Sequence, residues 1–182
     1  MPPRATPADY QSHAQAGNLT IGAEFDGHSV ATPPATYTTE DYVAVEVALF
    51  GPPETHLTLS HEDFSLRLDK KKTPLPAQPY ELLFKSLKDP QWVEPQDGPK
   101  QKGLLGNEGK SDGELPKVVH MPVELQRAME LNTKNASLPE GTYGLPLAGM
   151  IYFRYYANPK SLHSIELIYT GAAGKATVAL QP

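Results

Sequence analysis

The chain has 182 residues, of which 39% are hydrophobic and 20% are charged, and its formal net charge is −5. A chain of this length fits one ordinary domain that buries about 70% of its extended-chain surface. The negative charge argues against nucleic acid as the main partner, because a phosphate backbone attracts basic proteins. The absence of cysteine excludes disulfides, zinc–thiolate sites, iron–sulfur clusters and thiol nucleophiles.

Proline makes up 19 of the 182 residues, about twice its usual share, which favours short strands joined by turns over long helices. No apolar run approaches the ~20 residues of a membrane-spanning helix, so we expect no membrane span. Residues 1–17 are polar and rich in Pro, Ala and Gln, and they predict a flexible N-terminal arm before a single domain over residues 18–182. The start of the chain fits either a mature segment whose leader or lipid anchor has been removed or a genuine cytosolic N-terminus.

Alternation of apolar and polar residues predicts strands in the first part of the domain. The strongest pattern places Val43, Val45, Val47 and Leu49 on one side of a strand that ends at Gly51. Three adjacent lysines at residues 70–72 are typical of the solvated tip of a hairpin. The predicted strands cover residues 19–25, 42–50, 57–59 and 64–69.

The middle of the chain, residues 77–137, has a different character and predicts an inserted helix and loop segment. Residues 78–88 place leucines at helical spacing before Pro90, and residues 122–131 combine an early proline with an apolar face, so both predict short helices. Residues 89–117 are rich in Gly, Lys, Asp and Pro and predict a long surface loop. Trp92 lies in this polar stretch and is a candidate to anchor the loop to the domain.

Strand patterns return at the C-terminus, over residues 149–156, 162–169 and 175–180. Turn residues separate these patterns every eight to twelve positions, which is typical of an antiparallel sandwich or barrel. Several tyrosines lie in these strands, and they suit either core packing with hydroxyls at its edge or an exposed contact patch.

No motif of the chain predicts a catalytic, cofactor or metal site. The segment Gly109-Lys110-Ser111 lacks the earlier glycine of a phosphate-binding loop. There is no Gly-x-Ser-x-Gly nucleophile elbow, and no pair of histidines has the helical spacing of a zinc-protease motif. His61 and His163 would meet only if their strands were neighbours, and weak metal binding through His56 or His61 is a third-ranked hypothesis.

Two separated blocks of the sequence resemble the telokin-like, immunoglobulin-like extracellular domains of bacterial lipoproteins and secreted antigens. The resemblance covers roughly residues 18–76 and 138–181. It implies an immunoglobulin-like antiparallel β-sandwich of seven to eight strands, located outside the cytoplasm, with no catalytic residues. The matching motifs are the strand at residues 42–47, the acidic-Phe-x-Leu pattern of Asp63-Phe64-Ser65-Leu66, the Pro-x-Gly turn of Pro139-Glu140-Gly141, and the Gly-x-hydrophobic-x-Phe pattern of Gly149, Ile151 and Phe153.

These observations lead to two hypotheses on function. The first is a non-enzymatic immunoglobulin-like module of the bacterial cell envelope, in the periplasm, at the cell surface or secreted, which acts in protein interaction, adhesion or assembly. The alternative is a carbohydrate-binding or hydrolase accessory domain that uses a groove at the 77–137 insertion, motivated by Trp92, the tyrosines and nearby carboxylates. Both predict a protein or glycan partner and no cofactor.

Overall fold

The structure is a computed structural model that describes residues 1–92 and 121–182. The loop predicted from residue 89 therefore lies outside the described residues from residue 93 on, as does Gly109-Lys110-Ser111. The elements in chain order are β1 (Ser12–Ala16), β2 (Leu19–Gly27), β3 (Ser29–Thr32), β4 (Ala35–Thr39), β5 (Tyr42–Phe50), β6 (His56–Leu59), β7 (Phe64–Leu68), β8 (Leu75–Gln78), β9 (Leu87–Lys88), α1 (Val123–Ala136), β10 (Gly141–Gly144), β11 (Leu147–Arg154), β12 (Ile165–Gly171) and β13 (Gly174–Leu180).

Eight strands form one antiparallel sheet in the order β1-β2-β5-β11-β8-β7-β12-β13. Its two edge strands, β1 and β13, lie beside each other, so the sheet curls until it nearly closes as a barrel. The side chain of Gln11 bridges this seam, because its Nε2 donates to the Gln181 carbonyl at 3.1 Å and its Oε1 accepts from the Gln181 N–H at 3.3 Å. The ribbon β6–β10 and the small sheet β3-β4-β9 lie outside the main sheet.

The inner face of the main sheet encloses the larger of two cores. The alternation predicted for β5 is confirmed, since Val43, Val45, Val47 and Leu49 are all fully buried there. Full burial of such a side chain stabilises the fold by about 1.5–3 kcal/mol. Phenylalanine, leucine and tyrosine side chains from β7, β11 and β12 fill the rest of the interior.

The outer face of β5 is buried as well, which is unusual for an antiparallel sheet with one solvated side. Ala44 and Ala48 are fully buried and Glu46 is only 8% exposed. A second core lies on this side, where Met129 of α1 and Tyr37 of β4 pack against Tyr152 of β11. Helix α1 and the β3-β4-β9 sheet therefore form an outer layer on this side of the main sheet.

The N-terminal segment differs from the flexible arm predicted for residues 1–17. Residues 12–16 pair with β2 as an edge strand, and Tyr10 is 5% exposed beside Ala48 and Ala148. Gly22 makes room for this ring, because a Cβ at that position would lie 2.7 Å from Tyr10 Cδ2. The polar composition of this segment does not indicate that it is buried. It is buried because Tyr10 packs against the apolar face of the main sheet.

The middle segment also differs in part from the prediction. Residues 75–78 form β8 inside the main sheet, so residues 77 and 78 belong to the sheet and not to the insertion predicted from residue 77. Where a helix was predicted over residues 78–88, the chain forms a single 3-10 turn, Tyr80–Leu83, and then the short strand β9. Helix α1 was predicted over 122–131 and continues to Ala136, because Thr133 and Ala136 are also buried against the sheet.

The prediction of a mainly β fold with antiparallel strands is confirmed. The structure has one continuous, curled sheet of eight strands rather than two facing sheets, since β8 pairs with β11 on one side and with β7 on the other and so joins the two halves. Within the described residues, no helix combines the length and the apolar character needed to cross a membrane.

Candidate functional site

A cleft of about 330 Å³ lies between the outer layer and the main sheet. This volume is at the small end of the range of about 300–1,000 Å³ for ligand pockets. Its floor is the middle of β11, and its walls are the residues that follow β8 and those that follow α1. The lining residues are His61, Gln78, Pro79, Tyr80, Glu81, Lys134, Ser137, Leu138, Pro139, Glu140, Tyr143, Met150, Ile151 and Tyr152.

The cleft exists because two segments share one edge of β11 and leave a gap between them. Strand β8 pairs at Tyr152, opposite Gln78. Further along the same edge, the Leu138 N–H donates to the Met150 carbonyl at 2.9 Å, and Ser137 forms a parallel bridge with Met150. Both segments turn away from β11 within this short interval. The side chains of β11 there are therefore accessible from the outer layer.

Gly149 allows the second segment to approach β11 so closely. A Cβ at this position would lie 2.4 Å from both the backbone nitrogen and the Cα of Leu138. Backbone atoms held by a hydrogen bond to β11 cannot move aside as the end of a flexible side chain can. The glycine is therefore required for the wall formed by residues 137–140.

His61 and Glu140 join the cleft wall to the turn before β7. Glu140 Oε1 accepts hydrogen bonds from His61 Nδ1, from the His61 backbone N–H at 3.1 Å and from Ser60 Oγ at 3.4 Å. The hydrogen bond from the His61 side chain is the main reason that the pKa of the Glu140 carboxyl lies below its usual value. With Nδ1 used in this way, the other ring nitrogen of His61 can serve as an acceptor in the neutral form.

Tyr152 forms the deep end of the cleft and is only 1% exposed. Its hydroxyl lies 3.2 Å from Ser137 Oγ, which donates to the Thr133 carbonyl at 2.7 Å. Burial raises the pKa of the Tyr152 hydroxyl above its ordinary value. The phenol therefore stays protonated at neutral pH, and it links the end of α1 to the floor strand.

Two further tyrosines give the cleft an aromatic lining. Tyr80 packs against Phe84 with the ring centres 5.8 Å apart and the planes inclined at 59°. Burial raises the pKa of the Tyr80 hydroxyl, and its hydrogen bond with Glu81 adds to that shift. Tyr143, on β10, keeps 40% of its surface exposed although it is a large aromatic residue. Both rings are available for contact with a ligand.

The structure assigns different positions to the histidines that the sequence singles out. His61 lines the cleft, whereas His56 is exposed and bonds only to the nearby Glu54 carbonyl, at 3.1 Å. His163 is an exposed neighbour of Asp69, its Nδ1 3.8 Å from a carboxylate oxygen. His61 and Asp69 flank the five-residue strand β7, which spans roughly 17 Å, so His61 and His163 do not meet. In the described part of the chain, no group of three His, Asp or Glu side chains could hold a metal ion.

Trp92 and the lysines at 70–72 do not line the cleft. Trp92 is half-buried, and its backbone N–H donates to the Asp89 carbonyl at 3.1 Å. Its side chain is not among the residues that line the cleft. The lysines at 70–72 are exposed after β7, as predicted for a hairpin tip.

Sequence reasoning did not identify Tyr80, Lys134 or Glu140 as parts of one site. They come from a 3-10 turn, the end of a helix and a connecting turn, and only the folded sheet brings them together. The sequence does contain one local indication of this site. Ser60 and Asp63 have the spacing of a capping box, which fixes the backbone beside His61. Nothing in the spacing of Glu140 points to His61.

Comparison with protein-family models, with curated proteins and with solved structures finds no match to this chain. A functional conclusion therefore has to come from the chemistry of the cleft itself.

Proposed function

We propose that this protein is a non-enzymatic binding module of the bacterial cell envelope and that it holds a small ligand in the cleft between β11 and the outer layer. The observation that carries the proposal is the cleft itself, where apolar side chains, three tyrosines and several polar groups converge. Cavities with this composition are the usual sites of small-molecule binding. The envelope location and the kinship with telokin-like domains depend on the resemblance of two sequence blocks.

Binding is favoured over catalysis because the groups that could attack a substrate have structural roles. The Ser137 hydroxyl is buried and donates to the Thr133 carbonyl, so it is neither exposed nor activated by a base. A raised pKa keeps the Tyr152 hydroxyl protonated. A nucleophile needs a neighbouring base within hydrogen-bonding distance, and neither hydroxyl has one.

A second candidate function, protein interaction, adhesion or assembly, has separate support on the surface. Leu82, Val123, Leu131 and Tyr156 are large apolar or aromatic side chains with 49%, 54%, 58% and 60% of their surface exposed. Exposed side chains of this kind are candidate anchors at protein interfaces. Crosslinking in envelope extracts tests this second function.

Ligand-observed NMR with a library of small polar and aromatic fragments tests the cleft. We expect hits whose binding is lost in Tyr143→Ala and retained in Tyr156→Ala. The second variant is a matched control, because Tyr156 is also exposed but lies beside Arg154, 5.1 Å from the ring centre to Cζ, and does not line the cleft. A library without hits, or hits that survive Tyr143→Ala and shift no resonance of the cleft, would contradict the proposal.

Fractionation of the native bacterium tests the compartment independently. We expect the protein in the periplasmic, surface or secreted fraction. Recovery of the native protein in the cytosol would remove the envelope location but would leave the cleft as a binding site.

A further inference from the structure

The cleft carries charges of both signs. Lys134 lies on one wall, and Glu81 and Glu140 line the others. Glu140 is bonded to His61, and Glu81 adds a second carboxylate opposite the ammonium group of Lys134. Within residues 1–92 and 121–182, Lys134 forms no ion pair. A charged ligand of either sign would therefore lie near a charge of its own sign, so neither an anion nor a cation is strongly favoured.

Several polar groups of the cleft have free hydrogen-bond acceptors. Gln78 uses its Nε2 to donate to the carbonyls of Pro76 and Ala77, at 3.3 and 3.2 Å, which leaves its Oε1 as an acceptor. His61 offers its second ring nitrogen, and the Glu81 carboxylate can only accept when ionised. Several acceptors in a small volume suit a ligand with several hydroxyl donors.

The remaining surface of the cleft is apolar or aromatic. Met150 and Ile151 form the floor, Leu138 and Pro139 line one wall, and Tyr143 is partly exposed. The volume of about 330 Å³ accommodates a single ring rather than an extended polymer. A sugar ring combines these properties, because its C–H faces pack on aromatic and aliphatic surfaces while its hydroxyls project sideways to polar groups.

From this balance of charges, acceptors and apolar surface, we infer that the ligand is an uncharged carbohydrate with one pyranose ring seated in the cleft. The inference rests on the proposed binding function and specifies its ligand class. It assigns Lys134 and Glu81 the role of specificity determinants, since together they exclude charged sugars, and it assigns Tyr143 the role of an apolar contact.

The test measures binding of three probes of equal size by saturation-transfer NMR and by calorimetry: methyl glucopyranoside, glucuronate and glucosamine. We expect the neutral sugar to bind the unmodified protein best. Lys134→Met leaves the cleft negative, and we expect it to shift the preference towards glucosamine by about threefold, the effect of a partly exposed charge. Glu81→Gln removes one of the two carboxylates and should shift the preference towards glucuronate to a similar extent. Lys160→Met, at an exposed lysine outside the cleft, is the control and should change neither preference.

The possible outcomes separate the inference from the function on which it rests. If apolar or charged fragments bind in the cleft and no neutral sugar does, the carbohydrate inference is wrong and the binding function stands. If neither sugars nor fragments bind, both are wrong. If the neutral sugar binds but neither charge variant changes the preference, Lys134 and Glu81 do not determine specificity and that assignment is overturned.

Discussion

At the scale of single residues, Asp26 has the least favourable environment among the acidic groups described. It is the extra residue of a bulge between Phe25 and Gly27, where β2 slips against β5. Its Oδ2 is buried and has no hydrogen-bond partner in the part of the chain that the structure describes. Burial, together with the nearby carboxylates of Glu24 and Glu46, raises the pKa of the Asp26 carboxyl to about 7, while Arg4 opposes the shift.

The shifted pKa predicts that Asp26 weakens the fold at neutral and alkaline pH. Between about pH 4 and pH 7 the folded protein binds more protons at this site than the unfolded chain does, so the free energy of unfolding falls as the pH rises through that range. In Asp26→Asn the loss is removed, and we expect this variant to be more stable by about 1–3 kcal/mol at pH 8, a value reduced from the full shift because the carboxyl is partly solvated. Urea unfolding of both proteins at several pH values measures the difference.

The same comparison at low pH provides the control for Asp26→Asn. At about pH 4 the natural side chain is largely protonated in the folded protein, so the two proteins should differ much less in unfolding free energy. A stability difference that is constant from pH 4 to pH 8 would show that the substitution acts through packing and not through the charge of Asp26.

The types of residue in the sequence were not sufficient to predict which of them meet in the site. His61 was a candidate because histidine often binds or titrates, yet its partner Glu140 is distant in the sequence and was assigned only to a turn. Asp26 gave no signal, because a bulge depends on the register of two strands and not on the residue itself. Trp92 was singled out as a large aromatic residue in a polar loop, but tyrosines from three other segments form the aromatic part of the cleft instead.

At the scale of elements, the wall formed by residues 137–140 is held against β11 by a few close contacts. One is the hydrogen bond from the Leu138 N–H to the Met150 carbonyl, and another is the contact at Gly149. The hydrogen bonds of Glu140 fasten the far end of the wall to His61. An exposed pair of this kind contributes at most about 1 kcal/mol, so the contacts along β11 are the main constraint.

Gly149→Ala is predicted to displace this wall. The added Cβ would meet the Leu138 backbone at 2.4 Å, so we expect a loss of about 1–3 kcal/mol in unfolding free energy, the usual cost of overpacking. Hydrogen exchange at the Leu138 amide should become faster, and binding in the cleft should weaken. Urea unfolding and exchange measured by NMR report the two effects.

Gly144→Ala is the matched control for Gly149→Ala. The nearest atom to a Cβ at Gly144 is His56 Nε2, at 3.9 Å, which is an ordinary contact. This variant should stay within about 0.5 kcal/mol of the unmodified protein. Equal stability of the two alanine variants would mean that the close approach at Gly149 is not a constraint on the wall.

Elements were predicted well where one of their faces is buried in the main core. Strands β2, β5, β7 and β13 carry clear alternation, and all four were identified from it. Strand β1 has a weak pattern because only its last residue is buried, and β8 contains Pro76, which is typical of turns as well as of edge strands. For these segments pairing with a neighbour decides the structure, and single-sequence patterns do not report it.

At the scale of the whole molecule, alternation shows which side of a strand is buried but not how far a sheet curls. The pattern in β5 fits a sandwich and a barrel-like sheet equally well, since both bury Val43, Val45, Val47 and Leu49. The burial of the outer face of β5 was harder to foresee, because Ala44 and Ala48 are small enough to be tolerated on a solvated face. The outer layer covers Ala44 and Tyr10 covers Ala48, and the sequence places both covering segments in the chain but not in space.

Because the two cores share β5 and β11, we expect the main sheet and the outer layer to unfold together. Loss of α1 would expose Met150 and Tyr152 on the outer face of β11, and loss of the sheet would leave Met129 without a partner. Thermal unfolding should therefore show one transition, with the same midpoint for the helical signal in far-ultraviolet circular dichroism and the tyrosine signal in the near ultraviolet. A helical signal that is lost at a clearly lower temperature would show that the outer layer is a separate unit of stability, and the cleft would then open before the sheet unfolds.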